Sequence, residues 1–321
     1  MILESKKENI EKAAKAIING DIIAFPTETV YGLGADGLNP TAVAKIFEAK
    51  KRPSFNPLIL HISSRDQLKE LVNIESDIVY KLINNFWPGP LTLVLPKKKI
   101  VPDIVTAGNP TVAIRMPQHP VAKSLIEMCD RPIAAPSANR FGLLSPTTAK
   151  HVEKQLGNRI NIILDGGQSN VGVESTIVEV TKNKVMLLRH GGISLEQLQE
   201  VCDSIEVKEI NPNKPNAPGQ LLQHYAPKIP MKFFDDISLK ELDGKRIGAL
   251  FFKENNYDIN FKHVEYLSKS GDMREAAANL FFHLHELEVK ELDLILVEPV
   301  ETKGLGIAIM DRLTKATYKY K

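Results

Sequence analysis

Short apolar runs recur through the first two thirds of the chain, and they limit its possible folds more than any other feature. The runs are IIAF, PLILHI, LTLVLP, TVAIRM, RPIAAP, INIILD, STIVEV and VMLLRH. Short runs rich in Val, Ile and Leu are typical of buried strands. Predicted strands and helices intermix, and several strands follow one another directly, which favours an α+β or mixed α/β domain over a strict βαβ series.

Helices are predicted where apolar residues recur with helical spacing. Ser5 is expected to cap a first helix that ends at Gly20. The pair Asn39-Pro40 predicts the start of a second helix, because proline is favoured at the first helical position. Further helices are predicted at 64–72, 76–85, 118–128, 147–156 and 194–201.

A stretch rich in proline and asparagine at 211–220, NPNKPNAPGQ, predicts a linker. We therefore expect a first domain at 1–210, a linker at 211–230 and a C-terminal domain at 231–321. The C-terminal segments PMKFFDD, RIGALFF and LDLILVEP predict strands, with helices near 272–288 and in GIAIMDRLTKA. This alternation predicts a small α/β domain with a parallel sheet.

Composition excludes several classes of protein. The 321 residues carry a net charge of only +2, so overall charge does not require a nucleic-acid partner. Cys129 and Cys202 form no CxxC pair, which excludes a cysteine-rich zinc site and a disulfide framework. The N-terminus does not resemble a signal peptide, and no apolar run approaches the ~20 residues of a membrane helix. We expect a cytoplasmic protein without a membrane partner.

The spacing Gly32-x-Gly34-x-x-Gly37 imitates a dinucleotide-binding fingerprint. In that fingerprint the first glycine directly ends the strand, and an acidic residue about 20 positions later holds the ribose. Here PTETVY separates the strand from Gly32, and the later segment is the basic KKRPSFNP. The sequence therefore argues against NAD binding, and the glycines alone predict a tight turn.

Polar residues follow several predicted strands, where α/β sites are usually built. Lys50 and Arg52 would converge on a polyanion such as triphosphate if their stretch is extended; otherwise they form a solvated helix end. Arg115 ends an apolar strand and should have an anionic partner. Ser145, before a proline, is most simply a helix N-cap.

Later segments add small polar and cationic residues. Ser137 and Asn139 follow PIAAP, GVEST precedes a strand, and Arg189 ends one. No nucleophile and base form an evident pair in the sequence. Together these residues predict a cavity rimmed by Thr, Ser, Asn, Arg and Lys, a lining that suits anions better than nucleophilic catalysis.

The segments PTETVYGLG, KKRPSFNPLILHI, WPGPLTLVL, TVAIRMP, PIAAPSAN and DGG…ESTIV strongly resemble the YrdC-like family of L-threonylcarbamoyladenylate synthases. APGQLLQHYAP and GLGIAIMDRLTKA are similar to the long, two-domain form of that family. The resemblance implies a twisted mixed sheet with flanking helices around a concave basic cavity, and a small Rossmann-like C-terminal domain.

The resemblance also implies a nucleotidyltransferase reaction. ATP, L-threonine and bicarbonate or CO2 would give L-threonylcarbamoyladenylate and pyrophosphate. Downstream enzymes would then transfer the threonylcarbamoyl group to adenosine beside the anticodon of tRNA. Mg²⁺ is expected with the triphosphate; no protein ligand is assigned to it, and Glu28 and Glu174 are only candidates.

Individual residues receive roles from the same resemblance. The catalytic signatures K-x-R and S-x-N match Lys50, Arg52, Ser137 and Asn139. Residues implied to contact ATP are Arg52, Asn56, Thr111, Ser137, Ser145, Arg189 and Tyr225. Residues implied to line the threonine pocket are Thr29, His61, Arg115, Ala135 and Ser175, with Arg115 on the substrate carboxylate.

The linker is expected to act as a lid over the active site. Tyr225 in HYAP would stack on the nucleotide or bond to it. Leu221, Leu222 and Gln223 stand where many members carry Lys-Tyr-Arg, so no phosphate contact is expected from them.

Two other functions compete with this enzyme activity. A double-stranded RNA- or tRNA-binding module without turnover would use the cations of 50–52 and 97–99. A carbamoyltransferase of hydrogenase maturation uses a similar domain, but the zinc-finger and acylphosphatase modules of that class are not found in this sequence.

Gly304-x-Gly306, at a predicted helix start, suits either an anion or tight packing of that helix on its sheet.

Overall fold

The computed structural model describes residues 1–182, 184–207, 218–219, 224–254 and 259–320. Its helices are α1 Lys7–Ile18, α2 Pro40–Lys50, α3 Arg65–Leu71, α4 Ile78–Phe86, α5 Asp103–Thr106, α6 Pro120–Cys129, α7 Ala149–Leu156, α8 Leu195–Gln199, α9 Met273–Glu288 and α10 Leu305–Tyr318. Its strands are β1 Ile2–Glu4, β2 Ile23–Phe25, β3 Gly32–Asp36, β4 Ile59–His61, β5 Leu91–Pro96, β6 Thr111–Arg115, β7 Ile133–Ala134, β8 Ile163–Asp165, β9 Thr176–Val180, β10 Val185–Arg189, β11 Glu206–Val207, β12 Met231–Phe233, β13 Ile247–Phe251, β14 His263–Tyr266 and β15 Leu294–Val297. Two short 3-10 helices cover Phe234–Asp236 and Leu239–Leu242.

The first eleven strands form one mixed sheet in the order β1-β8-β2-β3-β7-β4-β6-β5-β9-β10-β11. β4 runs parallel to β6, with His61 opposite Arg115, whereas β5 runs antiparallel to β6 and parallel to β9. The predicted mixed sheet with flanking helices is confirmed. The register places His61 and Arg115 side by side at the carboxyl ends of the neighbouring strands β4 and β6.

Of the three glycines in the predicted tight turn, Gly32 and Gly34 instead lie in strand β3, and only Gly37 lies in a turn, directly after that strand. β3 pairs antiparallel with β2, and none of its glycines has a positive φ. A Cβ on Gly34 would lie 2.8 Å from both the Phe25 ring and the Ile133 side chain. Glycine is therefore needed here for close packing against residues of two other strands.

Helix starts were predicted with mixed success. Asn39 caps α2, since its side chain accepts hydrogen bonds from the backbone nitrogens of Thr41 and Ala42. The predicted cap at Ser5 is wrong: α1 starts at Lys7, and the Ser5 hydroxyl instead donates to the Asp165 carbonyl at 2.5 Å. The competing acceptor lies 160 residues away, so local spacing could not reveal it.

The last four strands form a second sheet in the order β12-β15-β13-β14, and all of its pairs are parallel. We call the segment from β12 to α10 the C-terminal unit. Its predicted α/β class is confirmed, although β14 was missed because its four residues are all only half-buried. The predicted domain limits stay predictions, since residues 211–217 and 220–223 of the linker lie outside the described residues.

The loop before β9 packs directly on the C-terminal unit. A Cβ on Gly172 would lie 2.3 Å from the carbonyl oxygen of Ala277 on α9. The core around α9 also contains Val30, Leu144 and Val173 from the first sheet's side. The C-terminal unit is therefore built against the first sheet's loops and shares a core with them.

The two cysteines and the membrane expectation can be checked directly. Cys129 and Cys202 are both free and buried. Across the described ranges, no helix combines the length and apolar character that a membrane span requires.

Two histidines stack where α7 meets α9. The ring centroids of His151 and His285 are 3.9 Å apart, and both side chains are buried. Burial lowers the pKa of His151 to about 3 and that of His285 to about 4. Both rings are therefore neutral in the folded protein at neutral pH.

We expect the free energy of unfolding to fall as the pH drops from 6.5 towards 4. In that window an unfolded histidine binds a proton that the folded one does not, so the loss is up to about 1.4 kcal/mol per pH unit for each ring. Urea midpoints at pH 7 and pH 5 measure it. His285→Gln keeps a donor for the Ser145 carbonyl but does not titrate, and should lose less. An equal loss in both proteins would contradict this assignment.

Candidate active site

A small cavity lies at the carboxyl ends of β4 and β6, beside the loops that follow β2 and β7. Its volume is about 50 Å³, which is room for only a few water molecules. It is lined by Thr27, Thr29, Val30, Tyr31, Gly32, Arg52, Ile59, His61, Arg115, Ala135, Pro136, Ser137, Glu174, Ser175, Arg189, Pro218, Gly219, His224 and Tyr225.

Arg115 is the centre of a first group of side chains. Its Nε donates to the Gly89 carbonyl at 3.2 Å, and its Nη1 donates to Thr29 Oγ1 at 2.8 Å. Its Nη2 lies 2.7 Å from Glu28 Oε1, and both side chains are 4% exposed. No N–H points along that line, so the contact is an ion pair without an aligned hydrogen bond. The anionic partner expected for Arg115 is therefore Glu28.

Burial and the positive charge of Arg115 determine the protonation states of Glu28 and His61. Burial raises the pKa of Glu28, but the nearby positive charge of Arg115 lowers it, and the net shift is downward. Burial, together with the charge of Arg115, lowers the pKa of His61 to about 3. The ring of His61 is thus neutral, and its Nδ1 has no hydrogen-bond partner within the part of the chain that the structure describes.

Arg189 organises a second group at the end of β10. Its Nε and Nη2 donate to the Ser175 carbonyl at 3.1 and 2.8 Å, and its Nη1 donates to the Pro218 carbonyl at 3.0 Å. Ser175 Oγ is 2.7 Å from Thr92 Oγ1. Because Thr92 lies opposite Arg115 across β5 and β6, the two groups are linked through Thr92 and Ser175.

Lys50 fits neither of its two predicted settings. It is the last residue of α2, not part of an extended stretch, and it is 1% exposed. Its ammonium donates to the Ser137 carbonyl at 2.5 Å and to the Asn139 carbonyl. Ser137 Oγ in turn donates to Asn139 Oδ1 at 2.5 Å. Lys50 thus holds the S-x-N loop, and only Ser137 of these three lines the cavity.

Arg52 is buried and faces the cavity. Its Nε and Nη2 donate to the carbonyls of Asn56 and Pro57, at 3.3 and 3.0 Å. Asn56 is fully buried, and neither atom of its side-chain amide has a partner among the described residues. A buried amide without partners is unusual and is what a ligand contact would satisfy. Thr111 lies at the opposite end of β6 from Arg115, outside the lining.

Ser145 is not the predicted N-cap. Thr148 caps α7, and Ser145 Oγ instead donates to Glu174 Oε1 at 2.6 Å. Tyr225 is buried with a φ of 64° and lines the cavity together with His224. The neighbouring 221–223 lie outside the described residues, so the prediction about their Leu-Leu-Gln sequence stays a prediction.

The carboxylates considered for magnesium both face arginines. Glu28 pairs with Arg115, and Glu174 Oε2 lies 3.1 Å from Nε of Arg312 on α10. No group of three or more metal-binding side chains occurs among the described residues.

The N-terminus of α10 contacts Glu196 of α8. The backbone nitrogen of Gly304 donates to Glu196 Oε1 at 3.4 Å, and a Cβ on Gly306 would lie 1.9 Å from the Glu301 carbonyl oxygen. Gly306 is therefore packed against the loop before α10, and the Glu196 carboxylate faces the N-terminus of the helix; the choice between an anion site and packing of the helix on its sheet stays a prediction.

The structure brings most of the predicted site residues to one cavity. Those in its lining are Thr29, Arg52, His61, Arg115, Ala135, Ser137, Ser175, Arg189 and Tyr225; those outside it are Lys50, Asn56, Thr111, Asn139 and Ser145. The sequence motifs did not identify Tyr31 and His224 as lining residues, although the two lie within PTETVYGLG and HYAP. The motifs also missed Arg312, which meets Glu174 across 138 residues of chain.

Two family models match the chain. Residues 15–191 match the model described as "Telomere recombination", and 193–317 match "Threonylcarbamoyl-AMP synthase, C-terminal domain". The threonylcarbamoyl-AMP synthase of Pyrococcus abyssi is 43% identical, over 98% of this chain and 97% of the relative. That of Bacillus subtilis is 41% identical, over 98% and 94%.

The chain belongs to the threonylcarbamoyl-AMP synthase family. The crystal structure of P. abyssi Sua5 complexed with L-threonine matches it with a TM-score of 0.91 at 42% identity, covering 99% of this chain and 97% of that one. The family predicted from the sequence, in its two-domain form, is confirmed. The threonylcarbamoyl-AMP synthase C-terminal model covers the second sheet of the structure.

Proposed function

We propose that this chain joins L-threonine, CO2 or bicarbonate, and ATP into L-threonylcarbamoyladenylate, with release of pyrophosphate. Relatives that match over 98% of the chain are named threonylcarbamoyl-AMP synthases, which confirms the synthase function predicted from the sequence. The residue roles below, the class of nucleotidyltransferase and the downstream steps are our proposals.

One observation carries the proposal: Arg52, Arg115 and Arg189 all line a single buried cavity. The carboxylates near it, Glu28 and Glu174, are each already paired with an arginine. The cavity is therefore rich in cations and hydroxyls, which suits a substrate carboxylate together with a triphosphate.

The chemistry needs positioning more than a protein base. The neutral amine of threonine captures CO2 as a carbamate and releases a proton. A carbamate oxygen then attacks the α-phosphorus, and the bond to the departing pyrophosphate breaks. Because the attacking oxygen is already anionic, charge neutralisation and alignment are what remain for the enzyme to supply. We propose that Arg52 and Arg189 neutralise the charge of the triphosphate and that Arg115 binds the threonine carboxylate.

His61 is suited to accept a hydrogen bond and not to act as a base. Its pKa of about 3 makes it a weak proton acceptor. Its Nδ1 has no partner among the described residues, and in the tautomer protonated at Nε2 that nitrogen would offer a lone pair. We propose that this nitrogen orients the amino or hydroxyl group of threonine. Thr29 of the Arg115 group and Ser175 of the Arg189 group, which both line the cavity, would complete the threonine pocket with Ala135.

Magnesium is proposed to arrive with the triphosphate. The carboxylates near the cavity are held by Arg115 and Arg312, so the described residues offer it no ready ligand set. When bound, the ion would offset the charge that develops on pyrophosphate.

The segment that includes Pro218, Gly219, His224 and Tyr225 is proposed to be part of a lid. These residues form a wall of the cavity, whose volume of about 50 Å³ is far too small for ATP. Movement of this wall would admit the nucleotide, as a lid requires.

We further propose that the adenylate passes to enzymes that modify tRNA beside the anticodon. The substrates and that acceptor would place the reaction in the cytoplasm. An RNA-binding module without turnover is less favoured, because Lys50 and Arg52, two of the cations it would use, are only 1% and 7% exposed.

The decisive experiment supplies ATP, Mg²⁺, bicarbonate and one of several amino acids, and follows pyrophosphate release and the adenylate by mass spectrometry. We expect threonylcarbamoyl-AMP only with threonine. Salt-sensitive binding of double-stranded RNA without pyrophosphate release would contradict the proposal and support the binding module.

A further inference from the structure

A second cavity lies where α7 and the loop after β8 meet α9 of the C-terminal unit. We call it the junction cavity. Its volume is about 500 Å³, which is within the usual size of small-molecule sites. Among the described residues, none lines both the junction cavity and the small cavity of the candidate active site. The junction cavity is therefore a separate feature of the fold.

Aromatic rings make up part of the lining of the junction cavity. Phe282 and His285 come from α9, and His151 comes from α7. The ring centroid of His151 lies 3.9 Å from that of His285 and 5.8 Å from that of Phe282. Ala149 and the exposed Val289 add apolar surface. This lining suits a flat, largely apolar ligand, because aromatic rings pack well in offset and edge-to-face arrangements.

His285 also carries a buried nitrogen that lacks a partner. Its Nε2 lies 3.2 Å from the Ser145 carbonyl, and since a carbonyl only accepts, Nε2 must carry the proton. Burial lowers the pKa of the ring to about 4, so the ring is neutral at neutral pH and Nδ1 holds a lone pair.

That lone pair is an unmet hydrogen-bond acceptor. Nδ1 of His285 has no hydrogen-bond partner within the part of the chain that the structure describes, and the side chain is only 2% exposed. A buried polar atom without a partner costs free energy. An N–H group on a ligand in the junction cavity would supply the missing donor.

The charged residues of the lining indicate the charge of the ligand. They are two lysines and two carboxylates: Lys150, Lys154, Asp165 and Glu286. Since both signs occur in equal number, the junction cavity offers no net charge that would select a strongly anionic or cationic ligand. An uncharged ligand fits it best.

We propose that the junction cavity binds a small, uncharged, planar nitrogen heterocycle whose ring N–H donates to His285 Nδ1. This binding does not depend on the proposed synthase reaction. A ligand there would touch a loop that also supports the candidate active site. Gly167 lines the junction cavity, and its carbonyl accepts a hydrogen bond at 2.7 Å from Tyr31, which lines the other cavity.

Indole and benzofuran test the proposal on the intact chain. The two molecules have nearly the same size and shape, but only indole has an N–H group. Titrations followed by saturation-transfer NMR measure both affinities without turnover. We expect indole to bind with a Kd of about 0.1 mM and benzofuran to bind about tenfold more weakly. No binding of indole would overturn the site, and equal affinities would overturn the role of Nδ1.

Variants of α9 locate the bound indole. His285→Gln keeps a donor for the Ser145 carbonyl but removes the ring acceptor, so it should bind indole about tenfold more weakly. Phe282→Leu should weaken indole and benzofuran by similar factors, since it removes a ring that either would pack against. His283→Gln is the matched control, because His283 pairs with Glu265 at 2.7 Å and does not line the junction cavity. If His285→Gln and His283→Gln had equal effects on indole binding, the proposed site would be wrong.

Discussion

Arg115→Lys should raise the threonine KM about 100-fold while the ATP KM changes by less than about threefold. A lysine keeps the charge but cannot reach the Gly89 carbonyl, Thr29 Oγ1 and Glu28 at once, as the planar guanidinium does. It also cannot grip a carboxylate with two parallel hydrogen bonds. Each lost hydrogen bond to a charged group is worth about 1.5–3 kcal/mol. Steady-state kinetics with each substrate varied in turn measure the effect.

Arg131→Lys is the matched control for that variant. Arg131 pairs with the buried Asp36 at 2.9 Å, is half exposed, and does not line the cavity. Arg131→Lys should change neither KM by more than about twofold, because lysine keeps the charge beside Asp36 and the pair lies outside the cavity. If Arg115→Lys bound threonine as tightly as the wild type, the carboxylate would have to be held elsewhere.

Lys50→Met should lower the free energy of unfolding by about 3 kcal/mol and kcat/KM for ATP by about 100-fold. Methionine fills similar space but leaves the carbonyls of Ser137 and Asn139 buried without their donor. The loop that presents Ser137 to the cavity would then shift. Urea unfolding and ATP kinetics should change together.

The neighbouring lysine provides the comparison. Lys51 is exposed in a left-handed conformation with a φ of 53°, so Lys51→Met should alter stability and kinetics little. A Lys50→Met protein that kept its unfolding midpoint but lost turnover would show that Lys50 meets the reacting atoms directly. That result would replace the positioning role with a catalytic one.

Elements with a strong local signal were well predicted. LTLVLP became β5, Leu91–Pro96, and Asn39-Pro40 starts α2 as expected. The failures share one cause: the deciding partner lies far away in sequence. The Gly32–Asp36 strand needs glycine because Phe25 and Ile133 press on it, and Ser5 is drawn to Asp165 instead of capping α1.

The candidate site divides in the same way. Most of the residues that the motifs assigned to the site do line the cavity, because side chains at the ends of neighbouring strands converge. The motifs did not show that Lys50 supports a loop, nor that Ser145 gives its proton to Glu174. Both depend on where a donor finds its acceptor in three dimensions.

The sequence by itself determined the family, the two types of sheet and the residue types around the cavity, since these follow from short motifs and local periodicity. Only the tertiary structure decided how the buried charges are neutralised. Glu28 meets Arg115, and Glu174 meets Arg312 of a different sheet's helix. A buried charge is stable only beside its partner, and no local spacing encodes a contact that the fold makes across the molecule.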